Sequence, residues 1–281
     1  MEITLRTPAK INLFLEVLGK RRDGYHSIRS LMQPINLFDT LSIKTNSQGL
    51  KIRCPGHPEL ENPSNLVNKA VKLLEKELGR PLPLSIRLKK KIPVGAGLGG
   101  GSSNAAATLT GINQLLGGLV PERRLAVLAA RIGSDVPFFL NPVTTLASGR
   151  GEILKPWPDF PLYWYVLIYP GFSVSTSWAY GQVKFPLTRI EKSINIKRLK
   201  TKGLAGGGTF LFNDLEGVVS PYFPGLAKIK TALQDRGCLQ ALMSGSGSTM
   251  FGLWESEEPA REACSRLKRQ GWGKVFLVRG L

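Results

Sequence analysis

The sequence predicts an α+β protein with two domains. Strand-like alternation opens the chain, and helical repeats flank a glycine-rich loop nearer its middle. After the proline-rich segment PWPDFP, at 156–161, strand and helix patterns begin again. We therefore predict an N-terminal domain over 1–155 and a C-terminal domain over 156–281, which the length of 281 residues allows at roughly 150 residues per domain.

The first half is predicted to hold several strands and three helices. Ile11, Leu13, Leu15 and Val17 fall on one face of a strand that ends near Gly19, and a turn follows at 22–24. Apolar residues at helical spacing predict the helices, with Ser102, Ser103 or Asn104 as cap of the second. The further strands are predicted over 27–32, 40–45, 50–54 and 84–89, and the helices over 65–78, 103–116 and from Pro121 to about 131.

The second half repeats this mixture of strands and helices. A strand is predicted over 163–169, and the turn SGSGST at 244–249 is predicted to lie between two strands. Helices are predicted over 213–236 and 257–270, before a final strand KVFLV.

Composition limits the function classes. The net charge of +18 favours an anionic partner, which includes nucleic acid, a membrane surface and a phosphorylated small molecule. The densest basic segment, at 184–202, lacks interleaved aromatic residues and is predicted to be a solvated surface. No apolar run has membrane-span length, and the three cysteines form no CxxC pair, so we expect a soluble protein of the reducing cytoplasm.

The glycine-rich loop is the strongest local signal for function. Five of the seven residues over 95–101 are glycine, hydroxyl side chains follow at 102 and 103, and a helix is predicted to begin there. Such a loop can point backbone N–H groups at an anion, and the helix dipole adds about half a positive charge. Gly101 stands where a Walker loop carries lysine, so the remaining positive charge must come from elsewhere.

Two other interpretations of this loop are a dinucleotide-binding fold and a flexible turn. The spacing also satisfies G-x-G-x-x-G, but a second helix follows where a dinucleotide fold needs a strand and an acidic residue, so the context rejects that fold. A flexible turn is the simpler alternative, because glycine clusters commonly relieve backbone strain.

Lys10 and Asp135 are candidates for the chemistry. Lys10 begins an apolar strand, where partial desolvation would strengthen its attraction to anions, although a surface lysine with a buried stem fits the same pattern. Asp135 lies among apolar residues, where it could act as a base, or it could serve only in a turn before Pro137.

Three segments together resemble the motifs of the GHMP kinase superfamily: PAKINLFLEVLGKRRDGYH, PVGAGLGGGSSNAAA and SGSGSTMFG. The resemblance runs nearly end to end and includes GSDVPFF, GEILKP, YPGFSVST and FNDLE. It implies a two-domain kinase with its active site in the cleft between the domains. It also implies ATP and Mg²⁺ as cofactors and a cytidine diphosphate sugar alcohol as acceptor, in the non-mevalonate route to isoprenoid precursors.

The resemblance also implies roles for particular residues. Asp135 would be the base and Lys10 its partner. Asn12 would lie near the acceptor, while Tyr25 and His26 would bind the cytosine by stacking and hydrogen bonding, with Tyr180 on the other face. The remaining substrate positions would be Thr176 and Gly245. The ATP-binding positions would be Asn65, Leu66, Lys90, Pro93, Val94, Gly95, Ala96, Gly97, Leu98, Gly99, Gly100, Gly101, Ser102 and Ser103.

Alternatives remain open at this point. A homoserine or mevalonate kinase would share the superfamily motifs, and DGYH with Tyr180 favours the cytidine acceptor over them. A basic nucleic-acid-binding protein is the alternative from another class, and strongly salt-dependent binding without kinase activity would identify it. We expect no membrane, no specific nucleic acid and no obligate protein partner.

Overall fold

The computed structural model of the protein describes residues 1–185 and 211–281. The chain forms two compact units, each assembled from separate stretches of sequence. The first unit comprises Met1–Ala9, Leu37–Val94 and Gly99–Pro142, and the second comprises Lys10–Asn36, Gly95–Leu98 and Val143–Leu281. The predicted boundary between residues 155 and 156 divides the chain into two continuous domains. That division stays a prediction.

Two long strands pair near the start of the chain. β1 spans Glu2–Lys20 and β2 spans His26–Thr45, and the predicted turn joins them through the N–H of Arg21 and the carbonyl of Tyr25. The prediction of separate strands at 27–32 and 40–45 is wrong. Gln33, Pro34 and Ile35 continue the strand with buried side chains, although proline normally disfavours a strand interior.

The first unit contains strands and helices with buried apolar side chains. β3 (Lys51–Arg53) lies parallel to β4 (Leu84–Lys89), and β4 lies antiparallel to β2 with Ile86 opposite Ile43. The buried faces of the helices include Val71 and Leu109. The helices are α1 (Leu66–Leu78), α2 (Gly100–Leu115) and α3 (Glu122–Ile132).

The start of α2 differs from the prediction by three residues. The cap is Gly99, with φ of +69°, and no side chain caps the helix, so the predicted Ser102, Ser103 or Asn104 cap is wrong. The helical conformation extends back into the glycines, which apolar periodicity does not reveal. Three glycines therefore lie at the cap and in the first turn of a helix whose N-terminal amides lack a side-chain partner.

The second unit contains a four-stranded antiparallel sheet in the order β10-β7-β9-β8. Helix residues such as Leu226, Leu233 and Leu267 pack in its hydrophobic core. A short hairpin also pairs with β2, with Leu31 opposite Leu146. The elements are β5 (Thr145–Ser148), β6 (Ile153–Pro156), β7 (Trp164–Tyr169), α4 (Thr176–Gly181), α5 (Asp214–Val219), α6 (Pro224–Gln234), β8 (Gln240–Met243), β9 (Met250–Trp254), α7 (Glu257–Lys268) and β10 (Lys274–Arg279).

Most predicted elements of the second half are confirmed within one or two residues. The helices predicted over 213–236 are confirmed as two helices separated by a 3₁₀ turn at Ser220–Tyr222, where Pro221 interrupts the helical hydrogen bonds. The basic segment at 184–202 is predicted to be a solvated surface. From residue 186 onward it lies outside the described residues.

Candidate active site

The glycine-rich segment bends through backbone conformations that favour glycine. Gly95, Gly97 and Gly99 have φ angles of +65°, +77° and +69°. A Cβ atom at Gly97 would lie 2.1 Å from the carbonyl oxygen of Ser244, which is closer than any side chain permits. Gly97 is therefore required by close backbone packing as well as by its φ angle.

The N-terminus of α2 has features that favour an anion. Gly101 is exposed and Ser102 is half-buried, so the first turn is open to a ligand. Ser103 is 2% exposed, and its Oγ has no hydrogen-bond partner within the described part of the chain. Free N–H groups at a helix start and an unsatisfied buried hydroxyl both favour a phosphate oxygen or its counter-ion.

Lys90 belongs to a buried polar network under this helix. Its ammonium group forms an ion pair with Asp39 and donates to Asn104 Oδ1 at 3.0 Å. A Cβ atom at Gly100 would lie 3.2 Å from Lys90 Nζ, so the glycine leaves room for the lysine. The lysine predicted for the adenosine pocket is therefore bonded to groups inside the first unit.

Lys10 lies in a second buried polar network, in the second unit. The residue is 4% exposed, its N–H donates to the Leu98 carbonyl at 2.9 Å, and its Nζ donates to Asn12 Oδ1 at 2.6 Å. Asn12 Nδ2 donates to Ser30 Oγ at 2.8 Å, and Ser30 Oγ donates to the Phe14 carbonyl at 2.6 Å. Ser30 donates its only hydroxyl hydrogen to the Phe14 carbonyl. Its oxygen is therefore the acceptor of the hydrogen bond from the Asn12 amide.

The SGSGST turn holds the glycine-rich segment from the second unit. Ser244 Oγ donates to the Gly97 carbonyl at 3.0 Å, and the Thr249 N–H donates to the Ala96 carbonyl at 3.2 Å. Gly245 has φ of +56°, and a Cβ there would lie 3.5 Å from Lys10 Nζ. The turn therefore brings its backbone against both the loop and the lysine.

Aromatic rings cluster at the start of β2. The rings of His26 and Tyr180 stack with centroids 5.3 Å apart, and Phe185 lies 6.0 Å from the His26 ring. Tyr25 is 53% exposed, and the Arg150 guanidinium carbon lies 4.7 Å from its ring centroid. Burial, with Lys20 acting in the same direction, lowers the pKa of His26 below its usual value. This shift favours the neutral imidazole at pH 7.

Known proteins resemble this chain over nearly its full length. The description "GHMP kinases N terminal domain" matches residues 65–141, and "GHMP kinases C terminal" matches residues 196–272. A protein of Syntrophus aciditrophicus, named 4-diphosphocytidyl-2-C-methyl-D-erythritol kinase, is 42% identical over 280 residues and covers 99% of both chains.

The chain belongs to the GHMP kinase family.

Solved structures agree with this assignment. A crystal structure of 4-(cytidine 5'-diphospho)-2C-methyl-D-erythritol kinase superposes with a TM-score of 0.86 at 35% identity and covers 99% of each chain. A homoserine kinase of Cytophaga hutchinsonii has a TM-score of 0.73 at 21% identity and covers 100% of this chain and 94% of its own. That second likeness shows the fold alone.

The other predicted residues of this GHMP kinase have definite places. Asp135 lies half-buried in the first unit, in the turn between α3 and a 3₁₀ turn at Pro137–Leu140. Asn65 caps α1, because its Oδ1 accepts from the Val67 N–H at 2.9 Å. Leu66 Cδ1 lies 3.6 Å from the Cβ position of Gly101, next to the glycine loop.

The flanking loop and substrate positions are also defined. Pro93 is buried, whereas Val94 is 39% exposed. Thr176 begins α4, and its hydroxyl lies 3.0 Å from that of Ser246 in the SGSGST turn. Thr176 and the turn that contains Gly245 therefore meet in the second unit.

Sequence reasoning missed several contributors to this region of the kinase. Asn213 caps α5 and donates from Nδ2 to the carbonyls of Met243 and Gly245, at 2.8 and 2.7 Å, which fixes the SGSGST turn. An asparagine placed directly before the acidic first turn of a helix is a capping signal that could have identified it. Asp39 and Ser30 have no such local signal, because each acts through a contact distant in sequence.

The described part of the kinase shows neither a membrane span nor a carboxylate-, histidine- or cysteine-rich metal cluster. No helix of the described ranges, 1–185 and 211–281, combines the length and the apolar character of a membrane span. Within the same residues, no three His, Cys, Asp or Glu side chains cluster as a metal site.

Proposed function

We propose that this GHMP kinase transfers the γ-phosphoryl group of ATP to the 2-hydroxyl of 4-diphosphocytidyl-2-C-methyl-D-erythritol. The product would be the 2-phosphate, in the non-mevalonate route to isoprenoid precursors. The observation that carries the proposal is the 42% identity, over 99% of both chains, with an enzyme named for this acceptor. The homoserine kinase, at 21% identity, is too distant to name an acceptor.

The proposed nucleotide site is the glycine-rich loop with the start of α2. The open first turn at Gly101 and Ser102 and the unsatisfied Ser103 hydroxyl support a phosphate there. Asn65 and Leu66 are proposed to line the adenosine pocket, because Leu66 lies beside Gly101. A pocket role for Lys90 stays a prediction, since its ammonium is bonded to Asp39 and Asn104.

Mg²⁺ is proposed to accompany the triphosphate. Mg²⁺ commonly takes one or two protein ligands and completes its shell with phosphate oxygens and water, so a dedicated cluster of carboxylates is not required. The Ser103 hydroxyl, buried and without a hydrogen-bond partner among the described residues, fits such a ligand. The ion would neutralise phosphate charge in the nucleotide.

Asp135 and Lys10 are proposed to perform the chemistry. Asp135 would accept the proton of the acceptor hydroxyl while that oxygen forms its bond to the γ-phosphorus and the bond to the ADP oxygen breaks. Lys10 would stabilise the negative charge of the migrating group. Its 4% exposure supports this role, because a buried ammonium acts through a lower dielectric than a surface one.

The acceptor is proposed to bind through the second unit. The stacked rings of His26 and Tyr180, with the exposed Tyr25, offer flat apolar surface to a cytosine. A neutral His26 can both donate and accept a hydrogen bond, which suits the edge of a pyrimidine. Asn12, Thr176 and Gly245 are proposed to contact the rest of the acceptor, since Asn12 and Gly245 lie against Lys10.

The proposed cellular location is the cytoplasm. Cys54, Cys238 and Cys264 are separate thiols, as a reducing compartment would keep them. Burial raises the pKa of Cys238 to about 11, so its thiol stays protonated at pH 7.

An ADP-release assay with three acceptors tests the proposed function. We expect turnover with 4-diphosphocytidyl-2-C-methyl-D-erythritol and none with mevalonate or homoserine. Asp135→Asn should lose about 10²- to 10⁴-fold in kcat and still bind ATP, because only the proton acceptor is removed. Asp159→Asn, at an exposed carboxylate, is the matched control and should keep full activity.

Three outcomes would contradict parts of this proposal. Equal turnover with mevalonate or homoserine would remove the acceptor assignment. Full activity of Asp135→Asn would remove the base role. Tight, salt-dependent binding of RNA or DNA without kinase activity would favour the nucleic-acid alternative.

A further inference from the structure

Asp39 is a fully buried carboxylate to which the reaction assigns no task. It lies in β2 and is 0% exposed. Oδ1 accepts from the N–H groups of Lys91 and Ile92, at 2.7 and 2.9 Å. Oδ2 pairs with the Lys90 ammonium and accepts from Asn104 Nδ2 at 3.1 Å. One carboxylate therefore satisfies four donors.

These donors lie on both sides of the glycine-rich loop. Lys91 and Ile92 lie four and three residues before Gly95, where the loop begins, and Asn104 lies three residues after Gly101, where it ends. Asn104 Nδ2 also donates to Thr7 Oγ1 at 2.7 Å, which ties the helix start to β1. Asp39 thus joins the entry and the exit of the loop through direct hydrogen bonds.

Stability alone does not account for such a buried pair. Replacing a buried ion pair by apolar residues of similar volume is often neutral or stabilising, because both charges lose their hydration on burial. A network that satisfies every member, however, fixes geometry closely. The geometry fixed here is that of the backbone amides on either side of the loop.

We propose that Asp39 is a positioning residue for the nucleotide. It holds the two ends of the loop so that the amides at the start of α2 meet the phosphates without rearrangement. Lys90 acts through Asp39 and Asn104, and its charge is compensated inside the first unit. This inference rests on the proposed function, in which ATP binds the loop.

The test is Asp39→Asn in the full chain. Asparagine keeps the volume but places an NH₂ group against Lys90 or against the backbone N–H groups, so at least one donor loses its acceptor. The KM for ATP and the Kd of a non-hydrolysable ATP analogue, measured by calorimetry, should rise about 10- to 100-fold. The KM for the acceptor should not change. A general loss of structure would change the KM values for both substrates.

Arg124→Met is the matched control. Arg124 forms a bidentate ion pair with Glu77 in the same unit, at 2.6 and 2.7 Å, away from the loop. Both variants should lower the melting temperature, but only Asp39→Asn should weaken nucleotide binding. Asn104→Ala removes only the hydrogen bond from Asp39 to α2, and it replaces Asp39→Asn as the test if that variant does not fold. We expect the KM for ATP and the Kd of the ATP analogue to rise about 5-fold in Asn104→Ala.

Two results would overturn the inference. One is unchanged nucleotide affinity in folded Asp39→Asn or Asn104→Ala protein. The other is an equal rise of the nucleotide constants in Arg124→Met. A wild-type protein that binds no ATP analogue at all would instead contradict the proposed function, so the two failures are distinguishable.

Discussion

Two buried lysines, Lys90 of the first unit and Lys10 of the second, differ in what they bind. The Lys90 side chain is 4% exposed and bonds to Asp39, whose other oxygen holds two backbone N–H groups. Lys10 is also 4% exposed, but it donates to a side-chain amide, Asn12, and packs near the Gly245 backbone. Burial alone therefore does not separate these two lysines, and substitution of each one tests the catalytic role that we propose for Lys10.

Of the two lysines, Lys10 should have the larger effect on activity when it is removed. Lys10→Met keeps the apolar stem and deletes the charge, so we expect kcat to fall about 10²- to 10³-fold through lost stabilisation of the migrating phosphoryl group. Steady-state kinetics with saturating ATP and acceptor would measure it. The control is Lys155→Met, at an exposed lysine of β6, which should keep wild-type kcat. A kcat of Lys10→Met within a factor of two of wild type would contradict the proposed catalytic role and leave Lys10 with a structural role.

Removing Lys90 should instead affect stability first. Lys90→Met leaves Asp39 buried without its cation, which typically costs about 3–5 kcal/mol in free energy of unfolding. Denaturant unfolding followed by circular dichroism would measure the change, and Lys10→Met provides the comparison. A larger loss of stability in Lys10→Met than in Lys90→Met would reverse the comparison.

The smallest effect predicted in this comparison of the two lysines concerns the support of Lys10. Ser30→Ala removes the acceptor of Asn12 Nδ2 and leaves that amide buried, at a cost of about 1–3 kcal/mol. We expect kcat to fall about 10-fold, with no further fall when the change is added to Asn12→Ala, because Ser30 acts through Asn12. Ser148→Ala, whose hydroxyl bond is long at 3.5 Å, is the control. Additive losses in the double variant would show that Ser30 does not act through Asn12.

Local patterns predicted elements well where one segment carries the information. The predicted strand at 84–89 is observed as β4, and α1 begins at Leu66 directly after the capping Asn65. The start of α2 was misplaced because Gly100 and Gly101 have low helix propensity, yet they are helical in this structure. A Cβ atom at position 100 would lie 2.9 Å from Ile92 Cγ2, so this helical position has no room for a residue of higher helix propensity.

The candidate site was predictable only in part, because some of its contacts join residues that are distant in the sequence. The loop glycines and the SGSGST turn carry their conformational demands in the sequence, and both have the positive φ angles that glycine supplies. The Asp39–Lys90 contact joins residues 51 positions apart, and the Asn12–Ser30 contact joins residues 18 apart. Such pairings follow from strand register, which no single segment encodes.

The most direct test of the proposed reaction is ³¹P nuclear magnetic resonance of the product formed from ATP and 4-diphosphocytidyl-2-C-methyl-D-erythritol. We predict one new phosphomonoester signal in the sugar product, beside its two retained diphosphate signals. The phosphorus of the new group should couple to carbon 2 of the methylerythritol. Release of inorganic phosphate alone, or a phosphomonoester at another hydroxyl, would contradict the account.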